Sequence, residues 1–401
     1  MRPSLALLLC LGAVTMTEAQ SGRQVINPDA TRPFSGGVKT GSFVYVAGSV
    51  GTDAKGAIAK GDVKAQTKQT LENIDAILKK GGSSLARAAS ITVYMRNASD
   101  FAAMNDAYAA MFPSDPPTRT TVVINQPFAA ADALVEIAAV GIANGAERQV
   151  VHPSDWVRSP APYNYGIKSG DTLFLSGLVS RNGKDNSTVK GDITAQTKTV
   201  LDNGAAILKQ AGMGFGDVVA SRVYITDDSN FQAMNAAYRP YFTAGSMPAR
   251  ATVKAGLTSG DYLVEITMVA VKNASRKVVA TPAADGTTPA PNPNAVLSSA
   301  VQVGNRLYVS GITGNTASNK GDAKAQTTEA LSRIERTLKA AGFDWANVAD
   351  STVYLSNMAD YQAMNGAYRD KLMKDFPARA TVGTGLMGAD AAVEIMMVAS
   401  K

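Results

Sequence analysis

Hydrophobic and polar positions change from one spacing to another along the chain, which predicts both strands and helices. Residues 43–47, Phe-Val-Tyr-Val-Ala, are rich in β-branched and aromatic residues and predict a strand. Leu71, Ile74 and Leu78 then recur at helical spacing. Asp62 precedes this run, and its carboxylate is a good acceptor for the free N–H groups of a first helical turn. The pattern therefore predicts a strand followed by a helix that begins close to Asp62.

The next part of the chain predicts a second strand and helix and then two closing strands. Residues 91–94 form a β-rich run, and Met104 and Tyr108 lie on one face of a second helix. Residues 119–124 and 133–140 predict the closing strands. The order β-β-α-β-α-β-β predicts an α+β unit in which two helices cover one face of a sheet. The other face is also apolar, so a single unit would expose it to water.

The same motifs return twice, at a period of about 130 residues, so each copy is the size of a domain. The helix start Gly-Asp-x-x-Ala-Gln-Thr stands at 61–67, 191–197 and 321–327. The strand entry Pro-(Thr or Ala)-Arg stands at 117–119, 248–250 and 377–379. We expect repeats at residues 23–145, 148–273 and 276–401, with the Pro-rich residues 276–294 as a linker or arm. Three linked copies can bury their second sheet faces against one another.

Residues 1–20 have the layout of a secretory signal peptide. Arg2 supplies a positive start, and residues 5–14 form an apolar run that is too short for a permanent membrane anchor. Ala19 is the small residue expected near a cleavage site. We therefore expect an exported protein, periplasmic or secreted, that has no membrane segment once the signal is removed.

Composition narrows the possible chemistry. Hydrophobic residues make up 45% of the chain and charged residues 18%, as in a globular protein with a core. The single cysteine, Cys10, and the single histidine, His152, exclude an internal disulfide framework and a Cys/His zinc site, so we expect no metal. The net charge of +6 is mild for 401 residues, and no basic stripe is interleaved with aromatic residues. We therefore expect no nucleic-acid partner.

Taken together, these motifs resemble the reactive-intermediate deaminases of the RidA/YjgF family, some of whose members are described as L-PSP endoribonucleases. The resemblance covers essentially all of the chain after the signal, three times over. It implies a chorismate-mutase-like α+β fold for each repeat and a covalent pseudo-trimer, monomeric as a chain, with ligand clefts between repeats. It also implies cofactor-free hydrolysis of 2-imino or enamine acids to 2-keto acids and ammonia.

The strand-entry arginines are the first candidates for substrate binding: Arg119, Arg250 and Arg379. A guanidinium can hold a carboxylate through two parallel hydrogen bonds, and it stays charged at any relevant pH. A 2-imino acid carries such a carboxylate beside its C=N bond, so the arginine would also orient the reacting carbon. The alternative is that each arginine only forms an ion pair with a nearby glutamate.

Glutamates in the apolar closing strands are the candidate catalytic residues: Glu136, Glu265 and Glu394. A charge in such a strand is costly unless it has a partner. The carboxylate could hold the attacking water and accept its proton, or it could simply balance the arginine. We expect the pairs to lie within repeats, as Arg119 with Glu136, Arg250 with Glu265, and Arg379 with Glu394.

The resemblance implies further substrate-binding positions, and they differ among the repeats. A family tyrosine is kept only in the second repeat, where the three residues are Phe34, Tyr163 and Leu297. A hairpin serine is kept in the second and third repeats, where the residues are Ala47, Ser176 and Ser310. A family asparagine near the cleft matches Asn105, Asn235 and Asn365, although each could be an ordinary helix-surface amide. The three clefts are therefore expected to be unequal.

Two other functions stay open at this point. The same arginines could bind a keto acid or another small carboxylate without turnover, because Phe34, Ala47 and Leu297 lack polar groups. RNA cleavage is the third possibility, and the single histidine argues against it. For imine hydrolysis and for binding without turnover, the expected partner is a small-molecule carboxylate.

Overall fold

The structure is a computed structural model that describes residues 22–124, 126–272, 275–290 and 292–401. The predicted signal peptide at residues 1–20 lies outside the described residues. Three α+β repeats follow one another along the described chain, as the sequence predicts, and each has one mixed sheet with two α-helices.

The elements recur in the same order in each repeat. The first repeat runs through β1 (Arg23–Ile26), β2 (Gly37–Thr40), β3 (Phe43–Ser49), α1 (Val63–Lys80), β4 (Ala88–Met95), α2 (Phe101–Met111), β5 (Thr118–Val123) and β6 (Val135–Ile142). The second runs through β7 (Gln149–Val151), β8 (Gly166–Ser169), β9 (Thr172–Leu175), α3 (Ile193–Gln210), β10 (Val218–Ile225), α4 (Phe231–Tyr238), β11 (Ala249–Lys254) and β12 (Val264–Val271). The third runs through β13 (Lys277–Val279), β14 (Ala300–Val303), β15 (Arg306–Thr313), α5 (Ala323–Ala340), β16 (Val348–Leu355), α6 (Tyr361–Leu372), β17 (Ala378–Gly383), β18 (Gly385–Leu386) and β19 (Val393–Ser400).

The sheet of the first repeat has the strand order β1-β2-β3-β6-β4-β5, in which only β4 and β5 are parallel. The other two repeats use the same order, and β18 pairs with β11, so the third repeat extends the sheet of the second. Each repeat begins with a short edge strand that the predicted order lacks: β1, β7 and β13. Strands of this length carry little periodic signal. Because β13 lies within the predicted linker, the irregular arm begins only after Val279.

The long helices begin where the sequence predicts. The carboxylates of Asp62, Asp192 and Asp322 accept hydrogen bonds from first-turn N–H groups at 2.8–2.9 Å. In α1, Leu71 and Ile74 are fully buried against the sheet of their own repeat. Helix start and buried face thus both follow from local sequence.

The second sheet faces are buried against each other, as predicted. One hydrophobic cluster contains residues of all three repeats, including the equivalent tyrosines Tyr94, Tyr224 and Tyr354. The hydroxyls of Tyr224 and Tyr354 lie 3.3 Å apart. Since a strand buried on both faces needs a cover on each side, the three sheets supply one another's second layer.

Arginines at the start of each repeat close the three repeats into a ring. Arg148 donates to the Ala88 carbonyl of the first repeat, and Arg276 donates to the Val218 carbonyl of the second. Arg23 completes the circle by donating to the carbonyl oxygen of Val348 in the third repeat at 3.0 Å. Within the described residues, no helix combines the length and apolarity required to cross a membrane.

Candidate active site at the repeat interfaces

The three candidate arginines occupy equivalent positions on β5, β11 and β17, and all are buried. Arg119, Arg250 and Arg379 expose 5%, 1% and 2% of their surface. Each guanidinium donates at 2.6–2.7 Å to the side-chain oxygen of an asparagine on the preceding helix: Asn105, Asn235 and Asn365. Each also lies 4.7–4.9 Å from the ring centroid of a tyrosine on that helix: Tyr108, Tyr238 and Tyr368. The guanidiniums are therefore fixed in the interior and do not point into bulk solvent.

Two of these three buried cations, Arg250 and Arg379, have donors without partners. Nε and Nη1 of Arg250, and Nε of Arg379, have no hydrogen-bond partner within the described structure. Burial lowers the pKa of all three arginines, yet a guanidinium stays protonated because its ordinary pKa lies above 12. A buried donor without a partner is costly, which favours the binding of an anion at these positions.

Each candidate glutamate faces an arginine of another repeat. The Thr121 N–H, two residues after Arg119, donates to Oε1 of Glu265 at 3.2 Å, and the charges of Arg119 and Glu265 interact. The same relation joins Arg250 to Glu394 and Arg379 to Glu136. The expected pairs within repeats, Arg119–Glu136, Arg250–Glu265 and Arg379–Glu394, are therefore wrong.

Strand register explains this correction. In the first repeat, Arg119 lies beside Ile91 of β4, whereas Glu136 lies beside Tyr94 of the same strand. Side chains alternate between the two faces of a sheet, so two positions that differ by three residues face opposite sides. Ile91 packs in the core of its own repeat and Tyr94 packs in the central cluster. Glu136 therefore points toward the neighbouring repeat.

Burial raises the pKa of each glutamate to about 8. A backbone N–H and the facing arginine act in the opposite direction, but burial is the larger effect. At neutral pH most of each glutamate is therefore protonated, and a smaller fraction is ionised. A glycine also lies directly against each carboxyl, because a Cβ on Gly48, Gly177 or Gly311 would overlap Glu136, Glu265 or Glu394.

A cavity of about 390 Å³ opens between the first and second repeats. Arg119, Asn105 and Thr121 of the first repeat line it together with Tyr163 and Glu265 of the second. The ring centroid of Tyr163 lies 5.8 Å from the guanidinium carbon of Arg119. This volume falls within the range of about 300–1,000 Å³ that is typical of small-molecule sites.

Thr121 and Tyr163 bring two hydroxyl groups to this cavity. Thr121 Oγ1 is buried and has no hydrogen-bond partner within the described structure. Burial raises the pKa of Tyr163, although a side-chain hydrogen bond with Ser159 and the charges of Arg119 and Arg181 act to lower it. The Tyr163 phenol therefore stays neutral near pH 7 and can donate a hydrogen bond.

The other two interfaces lack this phenol. Phe34 takes the position of Tyr163 between the third and first repeats, and its ring centroid lies 5.0 Å from the guanidinium carbon of Arg379. Leu297 takes the same position between the second and third repeats. At all three interfaces the residue after this position donates its backbone N–H to a proline carbonyl two residues before the arginine. At the first interface, Asn164 donates to the carbonyl oxygen of Pro117. Tyr163 thus lies beside the pair Arg119 and Glu265, at the interface of the first and second repeats. The sequence alone did not indicate which pair it would join.

The hairpin serines join the repeats. Ser176 Oγ accepts the backbone N–H of Arg119 at 3.0 Å and donates to the Asn164 carbonyl at 2.8 Å. Ser310 Oγ accepts the backbone N–H of Arg250 at 2.8 Å and donates to the Ser298 carbonyl. Both are fully buried, and Ser176 does not line the cavity beside Arg119. The predicted direct contact of these serines with substrate stays a prediction.

The cavity also contains Phe101, Arg181 and Tyr262, which the sequence analysis did not select. Aligning the repeats at their hairpin glycines would have found Arg181, because Thr52 and Asn315 hold that position in the other copies. His152 lies outside this cavity and packs on Tyr165 at a centroid distance of 5.5 Å. Among the residues that the structure describes, no cluster of three or more His, Cys, Asp or Glu side chains could hold a metal ion.

Comparison with known proteins also finds three copies of one domain along the chain. A model of the family described as Endoribonuclease L-PSP matches residues 25–143, 155–272 and 287–401. A RutC family protein of Pyrococcus horikoshii is 42% identical over 114 residues, which make up 28% of this chain and 89% of that protein. The 2-iminobutanoate/2-iminopropanoate deaminase of Escherichia coli (strain K12) is 34% identical over 113 residues, or 28% of this chain and 88% of that protein. Each relative thus corresponds in length to about one repeat.

The three repeats together resemble one larger solved structure. A chorismatase crystal structure aligns with 79% of this chain and 93% of its own chain, with a TM-score of 0.52 and 14% identity. At this identity the likeness concerns the fold alone. It agrees with the α+β fold predicted from the sequence.

Proposed function

Since the chain belongs to the Endoribonuclease L-PSP family and carries its domain three times, we propose that the cleft between the first and second repeats hydrolyses 2-imino acids or their enamine tautomers. The products are 2-keto acids and ammonia, and no cofactor takes part. The main support is that Arg119 and Glu265, from different repeats, line one cavity together with Tyr163. The name of the E. coli relative supports this substrate class.

Arg119 binds the substrate carboxylate. One of its nitrogens is engaged by Asn105 at 2.7 Å, and a guanidinium has five N–H donors in all. The donors directed into the cavity can hold both oxygens of a carboxylate in one plane. Because the imine carbon is bonded directly to that carboxylate, this contact also fixes the position of the reacting carbon.

Glu265 transfers the protons. Its carboxylate accepts a proton from water as the water oxygen bonds to C2 of the imine, and the carboxyl then returns the proton to nitrogen. The carboxylate then carries the hydroxyl proton of this carbinolamine to nitrogen, the C–N bond breaks as the carbonyl forms, and ammonia leaves, so imine and water balance keto acid and ammonia. A pKa of about 8 suits a group that must both accept and return a proton near neutral pH.

Hydroxyls of Tyr163 and Thr121 complete the site by donating hydrogen bonds to the bound acid. Both residues line the cavity. Each is a neutral donor, so neither competes with the substrate carboxylate for the Arg119 charge.

A second candidate function is the binding of a small carboxylate without turnover. Phe34 and Leu297 favour it at the other two interfaces, where buried arginines are kept and the phenol is absent. For RNA cleavage, which the family description names, the position of His152 outside the cavity gives no support.

The test is keto-acid release from an imine that an amino-acid oxidase generates in situ. The wild-type protein should accelerate release over buffer, and Arg119→Met should lower kcat/KM by about 100-fold, because charged hydrogen bonds to the carboxylate are lost. Arg96→Met is the matched control, since Arg96 donates to the Ala131 carbonyl and does not line the cavity. Absence of acceleration across several side-chain types, together with a rise in Tm on adding a keto acid, would favour the binding function instead.

A further inference from the structure

Arg181 places a second cation in the cavity that contains Arg119. Its Nε donates to the Asn186 carbonyl at 3.0 Å, and its own carbonyl accepts from Asn203 Nδ2 at 2.6 Å. These bonds hold the backbone and the base of the guanidinium. The ion pairs found among the described residues do not include Arg181, so its terminal nitrogens have no protein carboxylate.

The charge of this cavity is therefore positive at neutral pH. Glu265 is the one carboxyl among the lining residues, and burial raises its pKa to about 8, so it is mostly uncharged near pH 7. Arg119 and Arg181 both act to lower the pKa of Tyr163, which indicates that both lie near its hydroxyl. Two cations on the wall of one small cavity repel each other unless an anion lies near each.

This second cation is specific to one interface. The equivalent position is Thr52 in the first repeat and Asn315 in the third, so neither of the other clefts receives an arginine there. The rest of the wall near the second repeat carries the hydroxyls of Thr258, Ser259 and Tyr262. Phe101, Pro160 and Val179 add apolar surface to the same cavity, so the charge of Arg181, and not the wall as a whole, is what would select an acidic ligand end.

We propose that Arg181 is a specificity-determining residue that binds a second anionic group at the side-chain end of the substrate. The preferred substrates are then 2-imino acids with an acidic side chain, and the preferred product-like ligands are dicarboxylic 2-keto acids. This inference rests on the proposed function in one respect, namely that Arg119 holds the carboxylate next to the reacting carbon. A cavity of about 390 Å³ has room for a ligand that spans both arginines.

The test compares two keto acids of similar size by calorimetric titration of the purified full-length protein. These are 2-oxoglutarate, which has a second carboxylate, and 4-methyl-2-oxopentanoate, in which an isopropyl group takes the place of the carboxymethyl group that carries it. Wild type should bind 2-oxoglutarate more tightly. Arg181→Gln should weaken that binding by about tenfold, the loss of one charged contact, and change the other affinity by less than about twofold.

Further variants separate charge from folding. Arg181→Asn introduces the residue that the third repeat carries at this position, and it should act like Arg181→Gln. Arg181→Lys keeps the charge and should keep most of the preference. Lys184→Met is the surface control, because Lys184 is exposed on the same loop and pairs with Asp155 at 3.6 Å. An unchanged Tm confirms that each variant is folded.

An affinity ratio for the two acids that is the same in wild type and in Arg181→Gln would overturn the inference. So would a wild type that binds neither acid or prefers the branched one. A parallel turnover assay with imines from glutamate and leucine distinguishes the two proposals. If neither imine is turned over but the affinity ratio depends on Arg181, the specificity inference stands and the hydrolytic function fails.

Discussion

The backbone N–H of Thr121 donates a 3.2 Å hydrogen bond to Oε1 of Glu265, and this bond joins the first repeat to the second. Thr252 with Glu394, and Thr381 with Glu136, form the equivalent links. Each candidate site thus consists of an arginine strand from one repeat and a glutamate strand from another. The chemistry of every cleft depends on the packing of the three repeats.

The first prediction concerns the pH dependence of turnover. If the Glu265 carboxylate accepts the proton of water, kcat/KM should rise from about pH 6 to a plateau above its pKa of about 8, because only the ionised form is active. Glu265→Gln should lower kcat/KM by at least about 100-fold and abolish this rise. The rate would be measured by keto-acid release over the same pH range.

The same substitution at the other interfaces provides the comparison. Glu394→Gln and Glu136→Gln should each cost less activity than Glu265→Gln, because those clefts contain Leu297 and Phe34 in place of Tyr163. Equal losses in all three variants would show that the phenol does not distinguish the clefts. A pH rise that persists in Glu265→Gln would assign the titration to another group.

The second prediction concerns stability and pH. Burial raises the pKa of Glu136 to about 8 in the folded state, from an ordinary value of 4.5, so the folded state favours the protonated form. The contribution of protonated Glu136 to the unfolding free energy is fully present below about pH 4.5 and is lost as the pH rises through 8. The unfolding free energy of wild type should therefore fall between about pH 5.5 and pH 9. In Glu136→Gln this fall should be smaller by about 2–3 kcal/mol.

Urea unfolding of wild type and Glu136→Gln at both pH values measures this difference. Glutamine keeps the size of the protonated side chain and can still accept the Thr381 N–H, so the variant should fold at either pH. A variant whose stability falls as steeply with pH as that of wild type would show that Glu136 does not titrate in this range.

The third prediction concerns the serines that join the repeats. Ser310→Ala should lower the unfolding free energy by about 1–3 kcal/mol, because the Arg250 N–H and the Ser298 carbonyl lose their buried partner. Ala47→Ser is the reverse change at the interface of the third and first repeats. It should add about 0.5–1.5 kcal/mol by offering Arg379 the hydroxyl that Arg119 and Arg250 already have.

Both serine-position variants are compared with wild type by denaturant unfolding at one pH. A stability of Ala47→Ser equal to or below that of wild type would mean that the first repeat cannot accommodate the hydroxyl. A neutral Ser310→Ala would mean that the cross-repeat bond carries no net stability.

The fourth prediction concerns assembly. The sheets of the three repeats already cover one another, and Arg23 bonds to the Val348 carbonyl to close the ring. We therefore expect a monomeric pseudo-trimer. Light scattering after gel filtration should give the mass of one chain, 41.7 kDa for the full sequence. A mass of two or three chains would reveal a further interface and contradict this expectation.

The sequence by itself determined the repeat organisation, most element positions and the residue types of the site. Helix α1 illustrates this, since Asp62 and the spacing of Leu71 and Ile74 define its start and its buried face through interactions within a few turns. The arginines and glutamates were visible for the same local reason: motifs repeated three times stand out along one chain.

Only the tertiary structure decided which residues meet. Arg119 and Glu136 are close in sequence, but their strand register places them on opposite faces of one sheet, so the partner of Arg119 is Glu265. The place of Tyr163 beside that pair, and of Arg181 in the same cavity, depends on how one repeat is rotated against the next. No periodicity within a repeat encodes that rotation, because it arises from packing three apolar sheet faces around a common core.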